Sequence, residues 1–506
     1  MKKYYAILLM FGACMLIGIN LMLAQRTVFV PSSNANVGVL NDSIFGDTTA
    51  MGQRIDSNTV YVLERGGFYL LNGSIENRFP LTIMAEDGTG ARPVLQPADP
   101  GGGSSRPFRP RADLTLKGLY VTSADNGGGL NTRIVRVSGD GITISLDDCH
   151  LDNDGQSAFR LDASDVTLKI TNSIISNIGR NTSPDNGRVL DDRGNPIDTL
   201  IMENNTFYNI TSSIIRDDGG IINYLWYNHN TAVNIGQRGL EIGPVKEMRM
   251  TNNLFYNAGV LGAPPNDIDD LWIIKIDSLG SDSMGNPISQ SVDLRNNNFV
   301  LDTANLDAAY PDTINYLPLW NDDAQSFLTA QGVESTITSE LVTFDSMPSP
   351  PSDVIISVYD TSATPLDYDN GGADILNPLT FDFHYAAADA SATGSTAGQP
   401  LGDLNWWGQD ITAIDKDLVE LNVKLTNFPN PFMERTTIAY EIKQPANIEL
   451  RLFNSVGQAM GVLYRGKQLA GEYKVQWTPS HLPAGIYYYQ LKVDEVVRTN
   501  KMVFVR

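Results

Sequence analysis

A short pattern of polar and apolar positions recurs through the middle of the chain. A polar residue, usually asparagine, is followed three positions later by an apolar one. The pattern begins at Asp148, Asn172, Asn204, His229, Asn252 and Asn296, at intervals of 24, 32, 25, 23 and 44 residues. The short intervals suit one coil of a parallel β-helix, and the long ones suit a coil with a loop. The pattern predicts an all-β fold, a right-handed parallel β-helix, with loops at 182–198 and 262–290.

Asparagine suits a tight bend between two strands because its amide bonds locally and because it tolerates left-handed backbone angles. On successive coils, these amides are expected to bond to the coils above and below. The apolar residues behind the bends, Ile175, Phe207, Phe255 and Phe299, should then stack inside the solenoid. We interpret these asparagines as scaffold and not as catalytic residues.

The ends of the solenoid are less regular. Runs at 59–69 and 81–85 read as strands of the opening coils, and the repeat is lost between 312 and 374. The stretch 382–407, which ends in Trp406 and Trp407, resembles the closing segment of secreted pectate-lyase-like β-helix proteins. The β-helix domain is therefore predicted to span 25–408, followed by a linker at 409–424.

The last 82 residues differ from the rest in pattern and in charge. Short alternating runs at 437–442, 448–453 and 486–491 predict a small C-terminal antiparallel β-sandwich. Residues 425–506 carry a formal charge of +4, whereas 25–424 carry -28. This shift predicts a separate domain at 425–506.

The same region resembles the C-terminal sorting domain of proteins exported by the type IX secretion system of Bacteroidetes. The matching segments are 427–432, 453–458, 470–473, Trp477, 482–489 and 501–506. The resemblance implies passage across the outer membrane and a secretion machinery that handles 425–506. The protein is then secreted or held at the outer-membrane surface.

The N-terminus has the pattern of a secretory signal. Lys2 and Lys3 precede an apolar stretch at 4–23 that ends beside Ala24, which predicts a signal peptide at 1–24. A retained membrane anchor is the alternative, because the stretch is nearly long enough to span a bilayer. Removal of Cys14 with the signal would leave Cys149 without a disulfide partner. The net charge of -22 argues against nucleic-acid binding.

Charged residues recur at one position of the coil. Arg136 and Arg160 lie 12 residues before their bends, Arg216 lies 13 before and Glu241 lies 11 before. Alternation within the strands turns these side chains outward, together with Lys275. Arg188 and Arg238 lie close to this row in sequence. The pattern predicts a basic row on one outer face of the solenoid, flanked by acidic residues.

A row of cations suggests a groove for an extended acidic polysaccharide, because guanidinium groups bind carboxylates bidentately. Eliminative cleavage then needs a cation to neutralise a uronate and a base to remove the adjacent proton. The candidate catalytic residues are Arg160, Arg188, Arg216, Arg238 and Lys275, and the candidate substrate-binding residues are Arg136 and Glu241. Secreted lyases of the chondroitinase and alginate lyase type, which this chain resembles in fold, imply Ca²⁺ beside the basic pair. Its candidate ligands are Asp191, Asp192, Asp217 and Asp218.

Other interpretations of these residues stay open. No catalytic motif of the lyases matches residue by residue. The paired carboxylates at 217–218 suggest a glycoside hydrolase as the second chemistry. A salt-bridged surface is a further possibility, and with it a non-catalytic adhesin or glycan-binding solenoid.

Overall fold

The structure is a computed structural model that describes most of the chain. The described residues are 26–32, 37–98, 106–180, 183–262, 271–281, 284–285, 288–309, 315–350, 381–408, 425–442, 446–453, 459–469, 471–479, 482–493 and 496–505. The predicted signal peptide at 1–24 and the predicted linker at 409–424 lie outside these residues.

The chain divides into two compact units, Met1–Asp410 and Ile411–Arg506. The first is built from three long parallel sheets, which we name A, B and C in the order in which one coil visits them. In the middle of the unit, each coil contributes one strand to each sheet, as β9 (Thr143–Asp147), β10 (His150–Asp154) and β11 (Ser157–Leu161) do in turn. The predicted parallel β-helix is confirmed.

Sheets A and B run almost the full length of this unit. Strands of sheet A are β1 (Arg26–Val30), β2 (Thr59–Leu63), β4 (Leu81–Ala85), β6 (Leu114–Lys117), β9, β12 (Val166–Thr171), β15 (Ile197–Glu203), β18 (Ile222–Asn228), β20 (Leu240–Thr251) and β23 (Ser291–Asp293). Strands of sheet B are β3 (Phe68–Leu71), β5 (Val94–Pro97), β7 (Tyr120–Thr122), β10, β13 (Ile174–Ile178), β16 (Thr206–Ile210), β19 (Thr231–Ile235), β21 (Leu254–Ala258), β24 (Asn297–Val300) and β25 (Ile337–Thr338).

Sheet C is shorter and lies in the middle coils. Its strands are β8 (Val135–Val137), β11, β14 (Arg188–Asp191), β17 (Ser213–Arg216), the first half of β20 and β22 (Ile274–Asp277). Two of these strands, β14 and β22, lie inside the stretches that the sequence predicted as loops. The loops at 182–198 and 262–290 are therefore shorter than predicted, because each contains the sheet C strand of its own coil.

The bends between sheets A and B follow the predicted repeat. All six polar residues that open the pattern have a positive φ, between 51° and 63°. The next residue on each coil points inward, and from Asn205 onward these amides form a buried ladder. Asn205 donates to Asn230, Asn230 to Asn253 and Asn253 to Asn297, at 2.8 to 3.1 Å.

A stack of large side chains fills the solenoid behind this ladder. Ile175, Phe207, Phe255 and Phe299 are buried in one column of sheet B, as the sequence predicted. Ala232 occupies the coil between Phe207 and Phe255, and the ring of Tyr227 from sheet A fills the space beside it. The Tyr227 ring lies 6.4 Å from that of Phe207 and 6.0 Å from that of Phe255.

The segment that was expected to close the solenoid instead runs back along it. Gly402 donates to the Asn252 carbonyl, Asp403 to the Thr231 hydroxyl and Trp406 to the Thr206 hydroxyl, so the chain crosses successively earlier coils. The antiparallel pair of β26 (Phe344–Ser346) and β27 (Asp382–Tyr385) packs its aromatic rings on Tyr208 and Tyr256 of sheet B. The outer face of sheet B is therefore covered at these coils.

Short helices accompany the two ends. They are α1 (Val39–Phe45), α2 (Thr303–Ala309) and α3 (Asp322–Gln331), with 3-10 turns at Pro184–Asn186, Glu334–Thr336, Ala390–Thr393 and Leu404–Trp407. None of the helices in the described part of the chain is long and apolar enough to cross a membrane.

The second unit is an antiparallel β-sandwich, as predicted. One sheet contains β28 (Leu425–Phe428), β29 (Thr436–Ile442) and β32 (Gly471–Trp477). The other contains β30 (Ala446–Phe453), β31 (Ala459–Gln468), β33 (Gly485–Val493) and β34 (Val496–Phe504). Alternate residues of both sheets, among them Ile438, Leu450, Tyr489 and Met502, point into one core.

Candidate functional site

The outer face of sheet C carries a column of charged side chains. Direct register pairs Arg136 with Arg160, Arg160 with Asp191, Asp191 with Arg216, Arg216 with Glu241 and Glu241 with Lys275. The bridge between Phe108 and Val135 extends the column to Arg109. We call these seven residues the charged column. Strands in a sheet are about 4.8 Å apart, so one charge follows another at that step.

The structure brings most of the predicted row together and corrects one position. Asp191, which was expected to flank the row, occupies the place of its own coil in it, and Arg188 lies three residues earlier on the same strand. The column therefore alternates in sign at its centre. Asp191 lies 13 residues before its bend at Asn204, as Arg216 lies 13 before His229, so the loop that precedes β14 does not disturb this register.

Carboxylates pair with the candidate catalytic cations. Arg216 contacts Asp191 at 3.6 Å and Asp218 at 2.7 Å. Arg238 contacts Glu241 at 2.5 Å, and Lys275 contacts Asp277 at 3.1 Å. A guanidinium or ammonium group that faces a carboxylate acts toward it as a hydrogen-bond donor, whereas a base must accept a proton.

A second set of arginines lies along the edge where the chain enters sheet C. Three residues before the charged column, successive coils carry Arg106, Arg133, Ser157, Arg188, Ser213 and Arg238, which we call the rim column. Sequence reasoning missed this alignment. In the sequence, the rim column corresponds to an arginine that is followed three residues later by a charged residue, and this pattern occurs at 106, 133, 188 and 238.

Arg188 is the most buried arginine of the rim column, with 5% of its surface exposed. It donates to the Asp185 carbonyl at 2.6 Å and to the Asp191 carboxylate at 3.3 Å, while its Nε has no partner. Burial lowers the pKa of the guanidinium, although the nearby Asp191 acts in the opposite direction. The lowered pKa favours the neutral guanidine, which is the form that can accept a proton, but the side chain lies under the surface.

Two arginines of this region have a backbone conformation that is rare for their type. Among the described residues, the non-glycine residues with positive φ are asparagine, aspartate or histidine except for Arg133, at 73°, and Arg193, at 59°. Such angles strain a residue with a long side chain, and they concentrate at functional sites. Both residues flank sheet C.

Asp192 and Asp217 form a buried carboxyl pair at the corner that follows sheet C. Their side chains hydrogen bond to each other, so they share a proton. Burial, and then the charge of Asp192, raises the pKa of Asp217 to about 8. Asp217 accepts from the backbone N–H groups of Gly219 and Gly243, at 2.7 and 2.9 Å. A Cβ on Gly243 would lie 2.8 Å from the Asp217 carboxylate, so the close approach requires glycine.

These contacts bear on the predicted calcium ligands. Asp191 faces Arg188 and Arg216, Asp218 pairs with Arg216, and Asp192 and Asp217 bond to each other and to backbone N–H groups. In the part of the chain that the structure describes, no group of three or more carboxylate, histidine or cysteine side chains could hold a metal ion. The four aspartates do not fit a Ca²⁺ site, which needs six or more converging oxygens.

The histidines of the solenoid have structural surroundings. His229 lies at a bend with its ring nitrogen 3.2 Å from the Gly402 carbonyl, and His150 bonds to Ser176 at 2.8 Å. Burial lowers the pKa of each to about 4, so both are neutral at physiological pH.

The C-terminal sandwich indicates where the protein is delivered. Residues 426–505 match the secretion system C-terminal sorting domain family. The chain carries a type IX sorting domain. The sorting domain implies a contact with the secretion machinery and export to the cell surface or the medium. No curated protein matches the chain.

Proposed function

We propose that the solenoid binds acidic polysaccharide outside the cell, along the outer face of sheet C. The observation that carries this proposal is the register of the charged and rim columns, which aligns guanidinium groups from successive coils. The two columns together contain eight arginines and one lysine, namely Arg106, Arg109, Arg133, Arg136, Arg160, Arg188, Arg216, Arg238 and Lys275.

The negative charge of the surrounding protein makes the alignment of arginines more informative. The segment 25–424 has a formal charge of -28, so an aligned group of arginines departs from the average of its surroundings. Guanidinium groups on neighbouring coils match a ligand whose anionic groups repeat along an extended chain. The sorting domain takes the protein to a compartment where such polymers are found.

Binding is favoured over cleavage by the ion pairs. Arg160, Arg216, Arg238 and Lys275 each face a carboxylate partner, toward which they act as hydrogen-bond donors. Such groups bind anions at their outward-facing nitrogens but remove protons poorly. The proposal therefore places Arg136, Arg160 and Arg216 in binding roles.

Eliminative cleavage is the second candidate, and Arg188 favours it. Its pKa is lowered by burial, which is the change that a basic catalytic group needs. A conformational change would have to expose it, because its side chain is nearly covered.

One experiment separates these functions. The secreted protein is mixed with polygalacturonate, alginate and chondroitin, and both affinity and the absorbance of a new double bond are measured. Binding without absorbance supports the glycan-binding solenoid, and absorbance that disappears in Arg188→Ala supports the lyase. If none of the three polymers binds, the proposal is wrong. Lys246→Ala, on the outer face of sheet A, is the matched control for loss of one positive charge.

A further inference from the structure

Positive charge is concentrated at the first coils of sheet C. Arg106, Arg133, Arg136 and Arg160 lie within electrostatic range of one another and of a single carboxylate, that of Asp162. We call these four residues the arginine cluster. On the adjoining coil, Arg109 and Arg111 share Glu76, at 3.7 and 2.5 Å. Six arginines therefore face two carboxylates among the described residues.

The other end of the same face is close to neutral. There Arg188, Arg193, Arg216, Arg238 and Lys275 face Asp191, Asp218, Glu241, Asp277 and the Asp192–Asp217 pair. The difference between the two ends locates the excess charge at the arginine cluster.

Two members of the cluster have no carboxylate partner in the described residues. Arg106 and Arg133 are partly buried, and the Nε of each is covered without a hydrogen-bond acceptor. Burial and the neighbouring arginines lower the pKa of both guanidinium groups. Asp154 accepts from the backbone N–H of Arg133. Guanidinium groups that have lost water without gaining an acceptor are stabilised when an anion binds.

The other two members present donors to the same place. Arg136 and Arg160 both bond to Asp162 through Nε, the second at 2.8 Å. Their terminal nitrogens make no other hydrogen bond with the described residues. A guanidinium held at Nε still offers terminal N–H donors to an oxyanion. Asp162 therefore fixes two of the donor groups in position while cancelling one of the four charges.

We propose that the arginine cluster is a binding site for a sulfate or phosphate ester carried on a glycan. This inference rests on the proposed function and narrows it to polymers with tetrahedral oxyanions. A phosphate or sulfate ester offers three terminal oxygens, one more than a carboxylate, so guanidinium groups arriving from different coils can share it. A single uronate would leave most of the excess charge unmatched.

The test uses polymers that differ only in their anionic group. Dextran sulfate, dextran phosphate and carboxymethyl-dextran of matched length and substitution are presented to the secreted protein, and the dissociation constants are compared. We expect one or both esters to bind at least about tenfold more tightly than the carboxylate polymer. The ranking of the sulfate and phosphate polymers identifies the source of the ester.

Variants connect this preference to the cluster. Arg106→Ala and Arg133→Asn, together, should bring the three dissociation constants to within about twofold of one another, because the unpaired guanidinium groups are gone. Asparagine tolerates the positive φ of position 133. Arg65→Ala, on the turn between sheets A and B, removes one charge elsewhere and should keep the preference. Arg106→Lys keeps the charge but loses the planar fork, and it replaces the double variant if that variant fails to fold.

The outcomes distinguish this inference from the proposed function. Equal binding of all three polymers by the wild type, together with binding of polygalacturonate, overturns the ester site and leaves the proposed function standing. A preference that survives in the double variant also overturns it. Absence of binding to every polymer, polygalacturonate included, overturns both.

Discussion

Arg136 and Arg160 lie in direct register on consecutive coils and share the carboxylate of Asp162. The shared carboxylate holds two guanidinium groups at one position of the solenoid surface. It also competes with any anionic ligand for those groups. The balance between these two effects can be measured.

Asp162→Asn should strengthen binding of acidic polymers. The change removes one negative charge beside the arginine cluster and releases two Nε donors, so the affinity for polygalacturonate should rise several-fold. The free energy of unfolding should fall by about 1 kcal/mol, because the ion pairs are partly exposed. Binding isotherms and chemical denaturation measure the two effects. Glu247→Gln neutralises a carboxylate on sheet A and should change neither the affinity nor the free energy of unfolding by a comparable amount. Weaker binding by Asp162→Asn would contradict the expectation.

The Asp192–Asp217 pair predicts a pH-dependent stability. The pKa of Asp217 in the folded protein is raised to about 8, so the folded state keeps a proton that the unfolded chain releases near pH 4. Stability should therefore fall as the pH rises from about 4 to 8, by at most about 1.4 kcal/mol per pH unit.

Asp192→Asn tests this origin of the pH dependence. The Asp192 Oδ1 accepts from two backbone N–H groups, whereas its Oδ2 has no partner other than Asp217. An amide nitrogen at Oδ2 donates to Asp217 without a shared proton, so the slope should flatten and stability at pH 8 should rise. Thermal melts from pH 5 to 8 provide the measurement. An unchanged slope would show that other groups cause it, and Asp198→Asn on the surface is the control.

The asparagine ladder is expected to be costly to break. Asn230 donates to the Met202 carbonyl and to Asn253, and it accepts from Asn205. Asn230→Leu leaves several buried groups without partners, so the free energy of unfolding should fall by about 3 kcal/mol or more. Calorimetry measures the loss, with Asn223→Ala as a comparison, because the Asn223 side chain is only partly buried and bonds to Asp198 and Lys246 at the surface. A loss under about 1 kcal/mol would mean that the ladder contributes little.

Tyr227→Phe should stabilise the protein. The Tyr227 ring packs between Phe207 and Phe255, but its hydroxyl is buried without a hydrogen-bond partner in the described structure. Removing the hydroxyl should raise the free energy of unfolding by about 1 kcal/mol. Tyr61→Phe is the matched comparison, because the Tyr61 hydroxyl bonds to Asp47 at 2.8 Å and its removal should destabilise. If both variants changed the free energy of unfolding in the same direction, the contrast between an unbonded Tyr227 hydroxyl and a bonded Tyr61 hydroxyl would be wrong.

Calcium removal should leave the solenoid unchanged. The aspartates that the sequence suggested as ligands already bond to arginines, to each other or to backbone N–H groups. Melting temperature and polymer affinity, measured with and without a chelator, should agree within error. A drop in either quantity when the chelator is added would support a calcium site in the solenoid.

The sequence by itself determined the parallel β-helix architecture of this protein and its export to the cell surface or the medium. A left-handed bend depends on one residue and its immediate neighbours, so Asn172, Asn204 and Asn252 marked the coils at their true spacing. The sorting domain likewise depends on short motifs in a fixed order. The inward stack of Phe207, Phe255 and Phe299 followed, because each residue lies a constant distance after its bend.

Only the tertiary structure decided which charges meet on sheet C. The distance from a sheet C strand to the next bend varies from coil to coil, so counting residues left the register of Arg188 and Arg238 open, whereas the structure puts both three residues before the charged column. Ion pairing, the shared proton of Asp192 and Asp217, and the convergence of Arg106 and Arg133 on Asp162 all join residues from different coils. Their energies depend on distances that backbone register sets, and register across loops of unequal length is not recorded in the local sequence.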